Sequence, residues 1–192
     1  TRDANTSTVA IEQALQADVI VLAIPGSSVD EFLDQHRPRL QNKLLIDATN
    51  SVGGPVMHHI AAAADIEGLR YVRAFNSLGV ENIVDPTIDG VTLDMFYSCP
   101  EADQGVVASL ITDVGFSPVW VGEGEQAANV IDGVTKLWFA LAMGRGMGRR
   151  DQPGSKNMAV LMSSVMWMPK RSAMKLPWSS SKFGSSRRTS IV

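Results

Sequence analysis

The sequence is poor in cysteine, in aromatic residues and in long apolar runs. Cys99 is the only cysteine among 192 residues, which excludes an internal disulfide and is typical of a reducing cytoplasm. Aromatic residues make up 6% of the chain and apolar residues 45%, as in ordinary globular proteins. No apolar run is long enough to span a bilayer, and the start has no signal-peptide pattern. We therefore expect a cytoplasmic protein with no membrane partner.

Two kinds of motif are also missing. No group of His, Cys or carboxylate residues has zinc-site spacing, so we predict no metal. No Gly-x-Gly-x-x-Gly turn, the usual holder of a dinucleotide pyrophosphate, lies between a strand and a helix. The glycines of residues 144–148, GRGMG, follow a predicted helix, so we do not interpret them as a phosphate loop.

The clearest element present is the segment ADVIVLAIP at residues 17–25. A short, continuous and largely β-branched run predicts a strand buried on both faces, as parallel sheets require. Pro25 marks its carboxyl end, since proline lacks the N–H that a sheet ladder needs. Ligands of open α/β sheets bind at that edge. We therefore place the site at Ala23, Ile24 and Pro25 and at the ends of neighbouring strands.

Further strands alternate with helical patterns along the chain. Strands are predicted at residues 44–50, 71–75, 93–99 and 117–121, and helices at 5–16, from 29 onwards, 56–64, 101–114 and 125–143. This alternation predicts an α/β fold with right-handed crossovers and a parallel sheet. Polar pairs end two of the strands, Thr49-Asn50 and Asn76-Ser77. Parallel strands would bring both pairs to the edge that holds Pro25.

The composition changes at residue 144. Residues 1–143 carry 7 basic and 19 acidic side chains, whereas residues 144–192 carry 10 basic and 1 acidic. A basic segment suits nucleic acid or an anionic membrane. It lacks interleaved aromatic residues and any known nucleic-acid module, so we favour a disordered basic, Ser- and Met-rich tail with no nucleic-acid partner.

Six blocks in order resemble the NADPH-dependent coenzyme F-420 reductase family. They are ADVIVLAIP, KLLIDATN, YVRAFNSLGVENIVDP, DMFYSCPEAD, LITDVGFSPVWVG and KLWFALAMGRGMGR. Members of that family transfer hydride between NADP and a deazaflavin, and related domains serve as ferric and flavin reductases. The resemblance implies a Rossmann-type oxidoreductase that uses NADP, with coenzyme F-420 as second substrate.

The resemblance also bears on the two ends of the sequence. The family starts with a strand and a glycine-rich turn, and this sequence begins after both. We therefore expect residues 1–143 to form an incomplete, N-terminally truncated Rossmann-like domain that lacks its first strands, with a following helix. The family pattern stops after GRGMGR, so we expect residues 144–192 to be disordered or frame-shifted near Arg149 or Arg150.

The resemblance implies roles for particular residues. Thr1 and Arg2 match a family pair that would grip the ribose 2′-phosphate, because a guanidinium pairs with phosphate bidentately; an exposed terminal arginine is the alternative. Asn50 would orient the nicotinamide carboxamide, while for Thr49 turn capping is equally expected. The full set expected to bind cofactor is Thr1, Arg2, Ala23, Ile24, Pro25, Thr49, Asn50, Asn76 and Ser77.

No catalytic acid or base is expected, since hydride transfer between stacked rings depends on proximity and exclusion of water. Asp47 is interpreted as structural. The consecutive histidines His58 and His59 are interpreted as surface or half-buried residues rather than as metal ligands. Trp138, on a helical apolar stripe, is interpreted as core or dimer interface rather than as a cover for the deazaflavin. The expected function is hydride exchange between NADP(H) and coenzyme F-420 in a possible homodimer. The alternatives are a non-catalytic nucleotide-binding fragment and an NADPH-dependent flavin or ferric reductase.

Overall fold

The computed structural model describes residues 8–51, 54, 56–142 and 189–192. Its helices are α1 Ile11–Ala14, α2 Val29–Leu40, α3 Ile60–Ala63, α4 Val80–Val84, α5 Gln104–Val114 and α6 Gly124–Ala142. Its strands are β1 Val19–Leu22, β2 Leu44–Asp47, β3 Arg70–Arg73, β4 Thr87–Ile88, β5 Val91–Thr92, β6 Asp94–Ser98, β7 Ser117–Gly122 and β8 Thr189–Ile191. Single 3-10 turns lead into α2 and α5.

Six strands form one sheet in the order β7-β6-β3-β2-β1-β8, and β4 and β5 form a separate hairpin. Four of the five pairings in the sheet are parallel, which confirms the predicted α/β, Rossmann-like fold. One junction of the sheet departs from the predicted parallel arrangement. β3 and β6 are antiparallel and meet at Arg73 and Ser98. Between them lie only the short α4 and the hairpin, so the chain returns in the opposite direction.

The central strands are buried on both faces, as the β-branched runs predicted. Val19, Leu44 and Ile46 face one apolar cluster, which α5 completes with Val107 and Ile111. Alternate residues of the same strands face a second apolar cluster, completed by α2 and α3; it includes Ile20, Leu22, Leu45, Phe32, Leu33 and Ala63. The sheet is therefore the middle layer of three, and its edges are where a ligand has access.

Several predicted boundaries differ from those observed. Of the helix predicted at 56–64, only Ile60–Ala63 is helical. β3 ends at Arg73 because Phe75 takes a left-handed conformation with φ 64°, which turns the chain out of the sheet. The end of α5 matches prediction, since Gly115 takes φ 103° as a left-handed helix cap.

The last four residues cover the outer edge of β1. β8 runs parallel to β1, with Val19 opposite Thr189 and Val21 opposite Ile191. The Ala23 N–H donates to the Val192 carbonyl at 2.6 Å, and the Val192 N–H donates to the Val21 carbonyl at 2.8 Å. The tail expected at 144–192 otherwise lies outside the described residues. No helix in the described part has the length and hydrophobicity to cross a membrane.

Candidate functional site

The carboxyl ends of β1, β2 and β3 lie side by side, because these strands are parallel neighbours. Beyond β1 the chain is exposed at Ala23 and Pro25, while Ile24 is half-buried against the second apolar cluster. The predicted phosphate-binding pair, Thr1 and Arg2, lies outside the described residues. The rest of the predicted site therefore comes from three loops at one edge of the sheet.

The loops after β2 and β3 are tied to each other. The side-chain amide of Asn50 donates from Nδ2 to the Asn76 carbonyl at 3.1 Å. Thr49 is turned inward instead, and its N–H and its hydroxyl both donate to Asp47 Oδ1, at 2.9 and 2.6 Å. Asn50 thus lies where the sequence placed it, whereas Thr49 caps a turn.

The left-handed Phe75 directs Asn76 and Ser77 into the protein. Asn76 donates from Nδ2 to Asp132 Oδ1 and to Thr135 Oγ1, both at 3.1 Å and both on α6. Asn76 and Ser77 are each 2% exposed. A bulky residue with positive φ just before a predicted site residue is the kind of strain that functional sites retain.

Three of the predicted residues carry buried polar atoms with no hydrogen-bond partner in the described part of the chain. These atoms are Asn50 Oδ1, Asn76 Oδ1 and Ser77 Oγ. Leaving a buried acceptor unpaired costs about 1–3 kcal/mol, so such atoms mark strain, water or a ligand. Two acceptors and one hydroxyl are therefore left without partners at neighbouring strand ends.

Asp47 anchors a buried polar network behind these loops. Besides Thr49, its carboxylate accepts hydrogen bonds from the Tyr71 hydroxyl and, at 3.1 Å, from His59 Nδ1. Burial alone would raise the pKa of Asp47, but the bond from His59, the charge of Arg73 and the bonds from Thr49 and Tyr71 outweigh it and lower that pKa to about 2. Asp47 therefore remains an anion at neutral pH.

Arg73 and Asp132 complete the network, which is defined as Asp47, Thr49, His59, Tyr71, Arg73, Asn76, Asp132 and Thr135. The Arg73 side chain is 0% exposed and lies 3.1 Å from Asp47 and 2.8 Å from Asp132. It also donates to the Thr49 carbonyl at 2.8 Å. Neither Arg73 nor Asp132 was predicted from the sequence as part of a site. Arg73 lies inside an apolar strand and Asp132 beside the apolar face of α6, and a charged residue in such a position is a signal that it is buried and paired.

A cleft of about 380 Å³ opens beside the network, between the ends of β1 and β2. It is lined by Gly26, Ser27, Asp30, Ser51, Val56, His58, His59, Ala61, Ala62 and Glu125. Gly26 allows the two loops to touch. A Cβ there would collide with Ser51 Oγ and lie 2.8 Å from the carbonyl of Asn50. His59, expected to be a surface or half-buried residue, is half-buried, and its 9% exposed side chain lines this cleft.

The cleft has an acidic lining. Asp30 and Glu125 are among its lining residues, and their carboxylates repel phosphate and favour a cationic group. Within the described residues, no three His, Cys, Asp or Glu side chains are grouped so that they would hold a metal ion.

A largely parallel sheet layered between helices, with its polar loops at the carboxyl edge, is a Rossmann-like fold, in which ligands ordinarily bind at that edge. Residues 2–51 match the family described as NADP oxidoreductase, coenzyme F420-dependent. A search of curated proteins finds no significant match.

Solved structures support the fold. A hypothetical protein, SMa0349, from Sinorhizobium meliloti is 28% identical with a TM-score of 0.50, over 58% of this chain and 60% of that one. A candidate F420-dependent NADP reductase from Arthrobacter sp. FB24 is 22% identical with a TM-score of 0.59, over 70% and 68%. The imine reductase BcSIRED from Bacillus cereus BAG3X2 is 12% identical with a TM-score of 0.53, over 83% and 57%. The chain thus spans 60% of the length of the first of these.

Proposed function

We propose that the chain binds NADPH at the carboxyl edge of its sheet and transfers hydride to coenzyme F-420. The observation that carries this proposal is the set of unpartnered buried atoms at Asn50, Asn76 and Ser77. They lie at neighbouring strand ends, where Rossmann-like proteins bind nucleotides. The family match over residues 2–51 supports NADP as the donor and a deazaflavin as the acceptor.

The site residues divide by chemistry. Asn50 and Asn76 would hold the nicotinamide carboxamide through their free acceptor atoms. Ala23, Ile24 and Pro25 would pack against the ring by apolar contact, and Ser77 would face the second ring. Thr49 supports the loop through Asp47 rather than touching cofactor. Thr1 and Arg2, which lie outside the described residues, would take the 2′-phosphate and with it the preference for NADP.

The test measures binding first. Nicotinamide fluorescence should show saturable binding of NADPH that is tighter than that of NADH. Arg2→Gln should weaken NADPH binding at least tenfold and leave NADH binding unchanged, because only NADPH carries the 2′-phosphate. Arg37→Gln is the matched control, since Arg37 is paired with Asp34 on α2.

Acceptor assays then decide the reaction. NADPH oxidation with coenzyme F-420 should exceed that with FMN or ferric iron. Faster reduction of FMN or ferric iron would mean that this compound, and not the deazaflavin, is the acceptor. Binding without reduction of any of the three would leave a nucleotide-binding protein without this activity, and equal binding of NADPH and NADH would contradict the assigned role of Arg2.

A further inference from the structure

Ser51, His59 and Asp47 form a line of polar groups from the cleft into the core. Ser51 Oγ lies 3.4 Å from His59 Nε2. The other ring nitrogen of His59, Nδ1, lies 3.1 Å from Asp47 Oδ2. Ser51 and His59 line the cleft, whereas Asp47 is 0% exposed. The three side chains therefore connect an accessible hydroxyl to a buried anion through one imidazole.

The surroundings fix the orientation of the imidazole. An anionic Asp47 accepts the Nδ1 proton, which leaves Nε2 towards Ser51. The His59 backbone N–H donates to the Tyr71 hydroxyl at 3.0 Å, and that hydroxyl donates in turn to Asp47. Ring and backbone of His59 are thus both held against the same carboxylate. Such an arrangement permits proton transfer at Nε2 without movement of the ring.

We propose that Ser51 and His59, oriented by Asp47, form a proton relay that protonates the acceptor while NADPH reduces it. This inference rests on the proposed function. A hydride from NADPH would add to an acceptor carbon, while the Ser51 hydroxyl gives its proton to the acceptor nitrogen that becomes an N–H. Ser51 Oγ recovers a proton from Nε2 of the imidazolium form of His59, whose Nδ1–H stays on Asp47, and the neutral His59 that remains takes up a proton from solvent. NADPH, acceptor and one proton become NADP⁺ and reduced acceptor.

The position of Ser51 supports this role. Gly26 and Ser51 touch between the ends of β1 and β2, so the hydroxyl stands where the proposed ring site meets the cleft. A separation of 3.4 Å is longer than a good O–H···N bond, and catalytic hydrogen bonds commonly tighten only when substrate is bound. A proton transfer needs only that contact.

Several titratable and charged groups surround His59. They are Asp47 on β2, Tyr71 and Arg73 on β3, Asp30 on α2, Glu125 on α6 and the adjacent His58. Arg73 is engaged by Asp47 and Asp132. Of these side-chain types, only histidine ordinarily changes charge between about pH 5 and 8. A kcat that changes with pH in that range in the wild type, but not in a His59 variant, would therefore be evidence for the relay.

The test measures kcat with coenzyme F-420 in both directions over that pH range. A relay predicts that acceptor reduction by NADPH falls as pH rises, while the reverse reaction rises. Ser51→Ala and His59→Gln should each lower kcat for acceptor reduction about tenfold or more and flatten the dependence of that kcat on pH. The KM for NADPH should stay unchanged, which separates loss of the relay from damage to the nucleotide site. His36→Gln on α2 and Ser117→Ala on β7 are controls remote from the cleft.

The possible outcomes distinguish failure of the relay from failure of the proposed function. Variants with wild-type kcat and both pH slopes would overturn the relay and leave the proposed function standing. A wild type that binds NADPH but reduces no acceptor would overturn the function and the relay together. A lowered kcat in both variants with the wild-type dependence on pH would overturn the relay and make these residues positioning groups only. If His59→Gln does not fold, Ser51→Ala decides alone, because it removes a single oxygen.

Discussion

The carboxyl ends of β2 and β3 and the outer edge of β1 are stabilised in opposite ways. At the first, the buried polar network joins side chains from both strands, the start of α3 and α6, with partners up to 59 positions apart. At the second, β8 is joined to β1 mainly by backbone hydrogen bonds. The first region depends on residue identity, whereas the second depends on strand geometry.

The difference shows which part of the chain is held in a fixed position by specific side chains. A network of buried charges is a costly way to stabilise a protein, since its desolvation can exceed its Coulombic gain. It does fix positions, and here it fixes the loops that carry Asn50, Asn76 and His59. Backbone pairing at the edge of β1 covers exposed N–H and C=O groups that would otherwise pair with another chain. It needs no particular side chains to do so.

The largest effect is expected from Arg73→Met. This change leaves Asp47 and Asp132 buried without their shared cation, which should lower the free energy of unfolding by about 3–5 kcal/mol. Urea denaturation measures it. The matched Arg37→Met, at an exposed pair on α2, should cost less than about 1 kcal/mol. Similar losses for both variants would mean that the network contributes no more than a surface ion pair.

A smaller effect is expected from acid. The pKa of Asp47 is about 2 when folded, below its ordinary 3.8, so its ionised form stabilises the protein above about pH 4, and this contribution is lost as pH falls towards 2. By linkage it amounts to about 2 kcal/mol. The stability difference between wild type and Asp47→Asn should therefore shrink by that amount between pH 5 and pH 2. A constant difference would contradict an ionic role for Asp47.

Most of the sheet could be predicted from the sequence, because short β-branched runs such as that of β1 have one common explanation. The loop residues Asn50, Asn76 and Ser77 followed from the same logic, since strand ends meet at one edge. The antiparallel junction of β3 and β6 could not be predicted. It depends on a short hairpin whose strands are two residues each, too brief to leave a periodic pattern.

The buried polar network could not be assembled from the sequence for a different reason. Asp47, His59, Arg73 and Asp132 are far apart along the chain, and each alone is ordinary. His59 follows another histidine in a region that is helical only from Ile60. Only the fold shows that Arg73 points away from solvent and that Asp132 meets it. Long-range pairing of polar residues carries no local periodicity.

Tyr71→Phe should cost less than either change above. The Tyr71 hydroxyl donates a hydrogen bond to Asp47 and accepts one from the His59 backbone N–H. Its removal therefore leaves the Asp47 carboxylate with one donor fewer and the His59 N–H without this acceptor. We expect a loss of about 1–2 kcal/mol by urea denaturation. The control is Tyr97→Phe on β6, whose ring belongs to the apolar cluster shared with α5. An equal or larger loss at Tyr97 would show that losing a tyrosine hydroxyl costs as much outside the polar network as within it.

Ser190→Ala should have the smallest effect, and it tests the β1–β8 edge. The Ser190 hydroxyl donates to the Ala14 carbonyl at 2.7 Å, one side-chain bond in a region otherwise joined through the backbone. Its loss should cost about 1 kcal/mol, with Thr189→Ala as the exposed control. Amide hydrogen exchange locates the effect: the Ala23 N–H, bonded to Val192, should lose protection while amides of β2 keep theirs. Equal loss in both strands would mean that β8 opens only with the whole sheet, so that the two regions form one cooperative unit despite their different bonds.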